Sequence, residues 1–105
     1  MKIVVAVTGA SGAIYAHLLL KRLEELSDQY DRADLIFSET AWPVWKYELP
    51  SVNPDQYSFK QYKPDNFFAP MASGSAGYDR MIVVPCTMGT LARIASGEAS
   101  DLITR

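Results

Sequence analysis

The apolar run Ile3-Val4-Val5-Ala6-Val7 leads directly into Thr8-Gly9-Ala10-Ser11-Gly12. No polar residue alternates within the run, so a strand formed there must be covered on both faces. That is the pattern of an inner strand in a parallel sheet. Gly9 and Gly12 let the backbone turn tightly and leave room for close approach. From Ser11 to about Leu26 the apolar period becomes helical. Ala16, Leu19, Leu20, Leu23 and Leu26 share one side, while His17, Lys21, Glu24, Glu25 and Asp28 share the other.

Two further apolar runs repeat the theme. Leu35-Ile36-Phe37 ends at Ser38, and Met81-Ile82-Val83-Val84 ends at Pro85-Cys86. A helical stretch from Met88 to Ser96 follows, with Leu91, Ile94 and Ala95 as its expected inward stripe and Gly97 as its stop. Strand, helix, strand and a later strand–helix unit define an open parallel α/β sheet with right-handed crossovers. The 105 residues allow one domain, spanning 1–105. In such a sheet the loops after the strands gather at one edge, where ligands bind. Gly9–Gly12, Ser38–Thr40 and Cys86–Thr90 are therefore predicted to meet.

Composition narrows the function classes. A formal net charge of −2 leaves no basic footprint for nucleic acid. No apolar run approaches the roughly 18 residues of a membrane span, and the N-terminus lacks a signal-peptide pattern. The single cysteine, Cys86, cannot form an internal disulfide, which points to a reducing cytoplasm. Residues 43–70 carry five of the six prolines and many aromatics, among them Trp45, Tyr47, Tyr57, Phe59, Tyr62, Phe67 and Phe68. This reads as irregular connection holding a short strand or helix. Its apolar content exceeds that of an exposed loop and argues for packing against a neighbouring subunit.

The turns carry the chemistry. Ser11 is placed to cap the first helix, and the N–H groups of Ser11, Gly12 and Ala13 offer an anion site reinforced by the helix dipole. Thr87 stands where the last helix begins, with Met88, Gly89 and Thr90 presenting a second set of donors. Two helix N-termini and Ser38 at one edge suit a ligand with a phosphate and several hydroxyl or carbonyl groups; the bland alternative is two capped helices with bound water. The turn falls short of a dinucleotide fingerprint, because Tyr15 stands where the last glycine should be and would crowd a dinucleotide or the adjoining strand. Glu39 keeps a ribose contact open. A mononucleotide fits a chain of this length better.

"GASGAIYA" after the first strand, Ser38 after the second, and "PMASGSAGYDRMIVVPCTMGTLARIASGEASDLITR" over residues 70–105 together resemble the UbiX-type flavin prenyltransferases, formerly described as 3-polyprenyl-4-hydroxybenzoate decarboxylases. The resemblance covers both ends of the chain and is weakest over residues 43–69. It implies a flavodoxin-like three-layer α/β sandwich with a parallel sheet, homo-oligomeric and truncated here, and a single FMN-binding domain. It implies that FMN is held by Gly9, Ala10 and Ser11, by Ser38, and by Thr87, Met88, Gly89 and Thr90. The implied reaction joins a dimethylallyl group from dimethylallyl phosphate to N5 and C6 of reduced FMN. The product would serve a UbiD-type decarboxylase, and no metal is expected. The family's lysine, glutamate, tyrosine and further arginine for phosphate binding and proton transfer lie beyond "LITR", so no catalytic residue is assigned and the isolated chain is expected not to turn over.

Two other readings stay open: an FMN-dependent oxidative decarboxylase of the peptidyl-cysteine type, or a non-catalytic flavin-binding subunit. The former carries a histidine after the second strand and a "PASANT"-like loop, whereas residues 39–49 contain no histidine and the loop here is "PCTMGT". Ser73-Gly74-Ser75 is a candidate for the substrate pocket. Cys86 is read as small filler, His17 as a solvated surface residue, Trp42 and Trp45 as core, and Arg93 as facing solvent or a subunit contact.

Overall fold

The computed structural model describes residues 1–66, 69–72, 77–98 and 101–104. A four-stranded sheet in the order β3-β2-β1-β4 is built from β1 (Lys2–Val7), β2 (Arg32–Phe37), β3 (Lys60–Tyr62) and β4 (Arg80–Val83). All three pairings are parallel, with Ala6 opposite both Ile36 and Val83. Helix α1 (Ala13–Glu25) connects β1 to β2, α2 (Ala41–Glu48) follows β2, and α3 (Met88–Ser96) follows β4.

β1 is buried from Ile3 to Val7, as its unbroken apolar run requires. Ile3, Val5 and Val7 face one way, against Ala13, Ala16, Leu20 and Leu23 of α1 and Ala41 and Trp45 of α2. Val4 and Ala6 face the other way, with Ile36, Ala69, Leu102 and Ile103. The sheet is thus the middle of three layers in a flavodoxin-like α/β fold. Asp34 lies on this second face and is nearly fully buried. Its carboxylate accepts from Arg32 Nε at 2.7 Å and from the Tyr78 hydroxyl, and Arg32 Nη2 donates to Tyr62 Oη at 2.8 Å. Burial and the hydrogen bond to Asp34 push the Tyr78 phenol well above its ordinary range.

Two elements escaped the sequence pattern. Helix α2 contains Pro43, but in the first turn, where the missing N–H would have no intrahelical partner anyway. β3 is only Lys-Gln-Tyr; it has no apolar signature, and its backbone pairs with Asp34, Leu35 and Ile36 of β2. The aromatics around it fill this chain's own core rather than a neighbour's. Phe37 stacks on Trp42 at 4.6 Å and meets the edge of Trp45 at 5.3 Å, and Trp45 in turn meets Tyr57 at 6.4 Å. Trp45 Nε1 donates to the Val52 carbonyl at 2.9 Å. Tyr47, by contrast, is exposed, while Phe67, Phe68 and Ser73-Gly74-Ser75 lie outside the described residues.

His17 is also corrected: it is half-buried, with Nδ1 hydrogen-bonded to the Tyr57 hydroxyl. Burial, with a smaller push from Glu24, raises the Tyr57 phenol to about 12. The expected stripe of α3 is overturned. Leu91, Ile94 and Ala95 are exposed, and Thr90 is the buried residue of that helix. Helical period marks an apolar side but not what covers it, and β4 is a half-exposed edge among the described strands. No helix among the described residues is long and apolar enough to cross a membrane.

Trp45→Ala removes both the aromatic filling and the bond to Val52, so it is expected to destabilise the fold by about 3–5 kcal/mol. Urea unfolding checks this; a midpoint unchanged from the parent would contradict the assignment of Trp45 as the centre of the α2 core.

Candidate functional site

The three loops predicted to meet do so, held by short bonds at the ends of the strands. Thr8 is buried; its hydroxyl donates to the Pro85 carbonyl at 2.6 Å and accepts from the Thr87 N–H at 2.9 Å. This fastens the loop after β1 to the loop after β4. The Ser38 N–H donates to the Val7 carbonyl at 2.9 Å, bringing the loop after β2 alongside. Gly9 is required by contact: a Cβ there would lie 2.5 Å from Thr40 Oγ1 and 2.9 Å from the Thr40 carbonyl.

The cap of α1 differs from expectation. Gly12, with φ 111°, is the N-cap, and no side chain caps the helix. The left-handed backbone explains the glycine. Ser11 instead donates its hydroxyl to Glu48 Oε2 at 2.7 Å, and the N–H groups of Gly12 and Ala13 donate to Glu48 Oε1 at 3.0 and 2.9 Å. The anion attracted to this helix N-terminus is therefore the chain's own carboxylate, from the last turn of α2. The Ala13 amide foremost, then Ser11 and the Gly12 amide, hold Glu48 below the usual glutamate range. Nothing local marks Glu48 in the sequence. One available signal was its place at a helix C-terminus, where the dipole disfavours an anion and compensation must come from elsewhere.

Tyr15 is exposed, and its ring lies 3.2 Å from where a Cβ on Gly12 would sit. It covers the turn from outside and does not crowd the sheet. The sequence argument from Tyr15 against close helix–strand packing is accordingly withdrawn, because residue 15 falls on the outer side of α1.

At α3, Thr87 is the N-cap as expected, its Oγ1 accepting from the Thr90 N–H at 3.0 Å while its hydroxyl donates to Thr90 Oγ1 at 2.9 Å. Met88 and Gly89 are exposed. Ser38 and Thr40, whose hydroxyls lie 3.2 Å apart, line a cavity of about 350 Å³ together with Arg93 and Asp101. Arg93 thus faces a cavity wall instead of open solvent. Cys86 is exposed, its thiol 3.4 Å from the Thr87 carbonyl, so it does not act as packed filler. Among the described residues no group of histidine, cysteine or carboxylate side chains could hold a metal ion.

A parallel α/β sheet with loops, hydroxyls and a cavity at its C-terminal edge defines a mononucleotide-type binding fold. Residues 1–105 match the model of the Flavoprotein family, and the chain belongs to that family. It is 43% identical to the flavin prenyltransferase UbiX of Methanocaldococcus jannaschii, over 100% of this chain and 56% of that protein. It is 41% identical to the mitochondrial flavin prenyltransferase PAD1 of Saccharomyces cerevisiae, over 99% of this chain and 43% of that one. Among solved structures, AnUbiX (PadA1) in complex with FMN and dimethylallyl pyrophosphate superposes with a TM-score of 0.87 at 38% identity, covering 98% of this chain and 54% of that chain. The dodecameric FMN-dependent Ubix-like decarboxylase of Escherichia coli O157:H7 gives 0.87 at 35% identity, covering 99% and 57%. The chain therefore spans about half the length of these relatives.

Two outcomes test the site's construction. Gly9→Ala should cost about 1–3 kcal/mol, because the Thr40 backbone must move to admit the methyl group; thermal unfolding reads it. Glu48→Gln should change the acid limb of stability. A carboxylate whose folded pKa is depressed contributes above its ordinary value of 4.5 and loses that contribution as pH falls through the folded value. The parent should thus lose more stability than Glu48→Gln on acidification below that value. Parallel Tm–pH curves would show that the contact contributes nothing.

Proposed function

We propose that this chain is the flavin-holding part of a flavin prenyltransferase, with FMN seated where the loops after β1, β2 and β4 converge. The observation that carries the reading is that convergence itself: Thr8, Gly9 and Ser38 lock three loops together beside a cavity walled by hydroxyls. Its volume suits the polar end of a mononucleotide and lies in the range of small-molecule sites.

The residues proposed to hold FMN are Gly9, Ala10 and Ser11, Ser38, and Thr87, Met88, Gly89 and Thr90. Gly9 leaves the floor open, Ser38 supplies a hydroxyl at the β2 end, and the exposed Met88–Gly89 backbone at the start of α3 offers donors. Thr87 and Thr90 already bond each other, so they act mainly by fixing that turn. Bound reduced flavin would supply an electron-rich ring to accept the dimethylallyl group of dimethylallyl phosphate. Glu48 is held ionised between Ser11 and the α1 amides, so it keeps a fixed negative charge beside the floor of the site and orients the Ser11 hydroxyl. An anionic neighbour favours a cationic allyl group over a neutral one.

Homo-oligomerisation belongs to the same proposal. Tyr15 and Leu18 on α1, Tyr47 on α2, and Met88 and Leu91 on α3 are large apolar side chains left exposed. A UbiD-type decarboxylase receiving the product, and a cytoplasmic setting, rest on the family resemblance.

FMN fluorescence should be quenched on titration with the purified protein; unchanged fluorescence would overturn the flavin reading. A chimera in which residues 1–105 replace the matching segment of the M. jannaschii relative tests the chemistry. Given reduced FMN and dimethylallyl phosphate, it should release a flavin heavier by one dimethylallyl unit. A folded chimera that binds FMN but releases it unmodified would support a non-catalytic flavin-binding subunit instead.

A further inference from the structure

Arg93 stands in an unusual electrostatic position. Its side chain runs back along α3 toward the helix start: Nη2 donates to Thr90 Oγ1 at 3.4 Å, and Nη1 lies 3.8 Å from the point a Cβ on Gly89 would occupy. A guanidinium is thereby placed at the positive end of its own helix dipole, where an anion belongs. Its Nε is fully buried and has no hydrogen-bond partner among the described residues. No described carboxylate lies within ion-pair distance of it. A charge that has lost its hydration without gaining a partner is costly.

The cavity it lines shows what would complete it. Ser38 and Thr40 form the facing hydroxyl wall. Three carboxylates also border the space, but none competes inside it. Glu39 and Asp65 are exposed at the rim, and Asp101 is turned back on its own loop, accepting from the Thr104 N–H at 2.9 Å and the Thr104 hydroxyl at 2.7 Å. Pro64 is the remaining lining residue, so the space offers little apolar surface to a prenyl chain.

We infer that Arg93, with Ser38 and Thr40, binds the terminal phosphate of the flavin mononucleotide and selects it over the unphosphorylated flavin. The inference rests on the flavin reading above and adds a residue to it. Two donors at fixed spacing suit a phosphate monoester bound in a fork. The polar lining assigns the space to the phosphate and ribityl end of the flavin and not to an allylic phosphate, whose hydrocarbon part would find no shelter there.

The test compares FMN with riboflavin by fluorescence quenching, using the parent protein, Arg93→Gln and Arg93→Lys. Losing a charge-assisted contact should weaken FMN binding about 10- to 100-fold in Arg93→Gln while leaving riboflavin binding unchanged. Arg93→Lys should fall between, since it keeps the charge and loses the fork. The FMN preference of the parent should also shrink with added salt. An equal loss for both flavins would overturn the inference by showing a structural role, and so would no loss for either. If Arg93→Gln weakens competition by dimethylallyl phosphate but not FMN binding, the arginine serves the substrate and the assignment is wrong. A parent protein that binds neither flavin would instead remove the flavin reading itself, and the assignment with it.

Discussion

The burial of β1 on both faces is the constraint on which the rest of the structure hangs. Ile3, Val5 and Val7 need α1 and α2 on one side, while Val4 and Ala6 need the segment containing Leu102 and Ile103 on the other. With β2 and β4 both paired parallel to it, β1 must end where they end. Its neighbours then deliver Ser38 and Pro85 to the same edge as Gly9. Thr8 completes the arrangement by serving the Pro85 carbonyl and the Thr87 amide with a single hydroxyl.

That edge is organised by charge as much as by packing. Two helices begin there, and each meets a different solution. The N-terminus of α1 is neutralised by Glu48, so that α2 is clamped onto α1 through a carboxylate and three donors. The N-terminus of α3 is met by a cation of its own chain, Arg93, which leaves the positive charge there uncompensated. The contrast places the demand for an external anion at α3 and the adjoining Ser38–Thr40 wall. It also shows why an anion site read from helix starts needs the neighbouring elements to decide which start is free.

Much of the fold was legible in the sequence because its strands are apolar runs without alternation and α1 keeps a helical period. The Thr87 cap was legible too, since the hydroxyl and the Thr90 amide it serves are three residues apart. β3 was not, because a three-residue polar strand is formed by pairing with β2 and carries no hydrophobic signature. Helix α2 was obscured by Pro43, whose place in the first turn makes it harmless. Leu91 and Ile94 gave a true helical stripe, yet period says nothing about whether a neighbouring layer exists to cover it.

By itself, then, the sequence determined the strand–turn–helix units, the parallel sheet and the family motifs at both ends, because these depend on residue patterns a few positions long. Only the tertiary structure decided the wiring of the site. Glu48 reaches Ser11 across 37 positions, Thr8 reaches Thr87 across 79, and Arg93 finds no described partner at all. Such pairings depend on how far each helix extends and which way its side chains lean once the layers are packed, and no local pattern encodes that geometry.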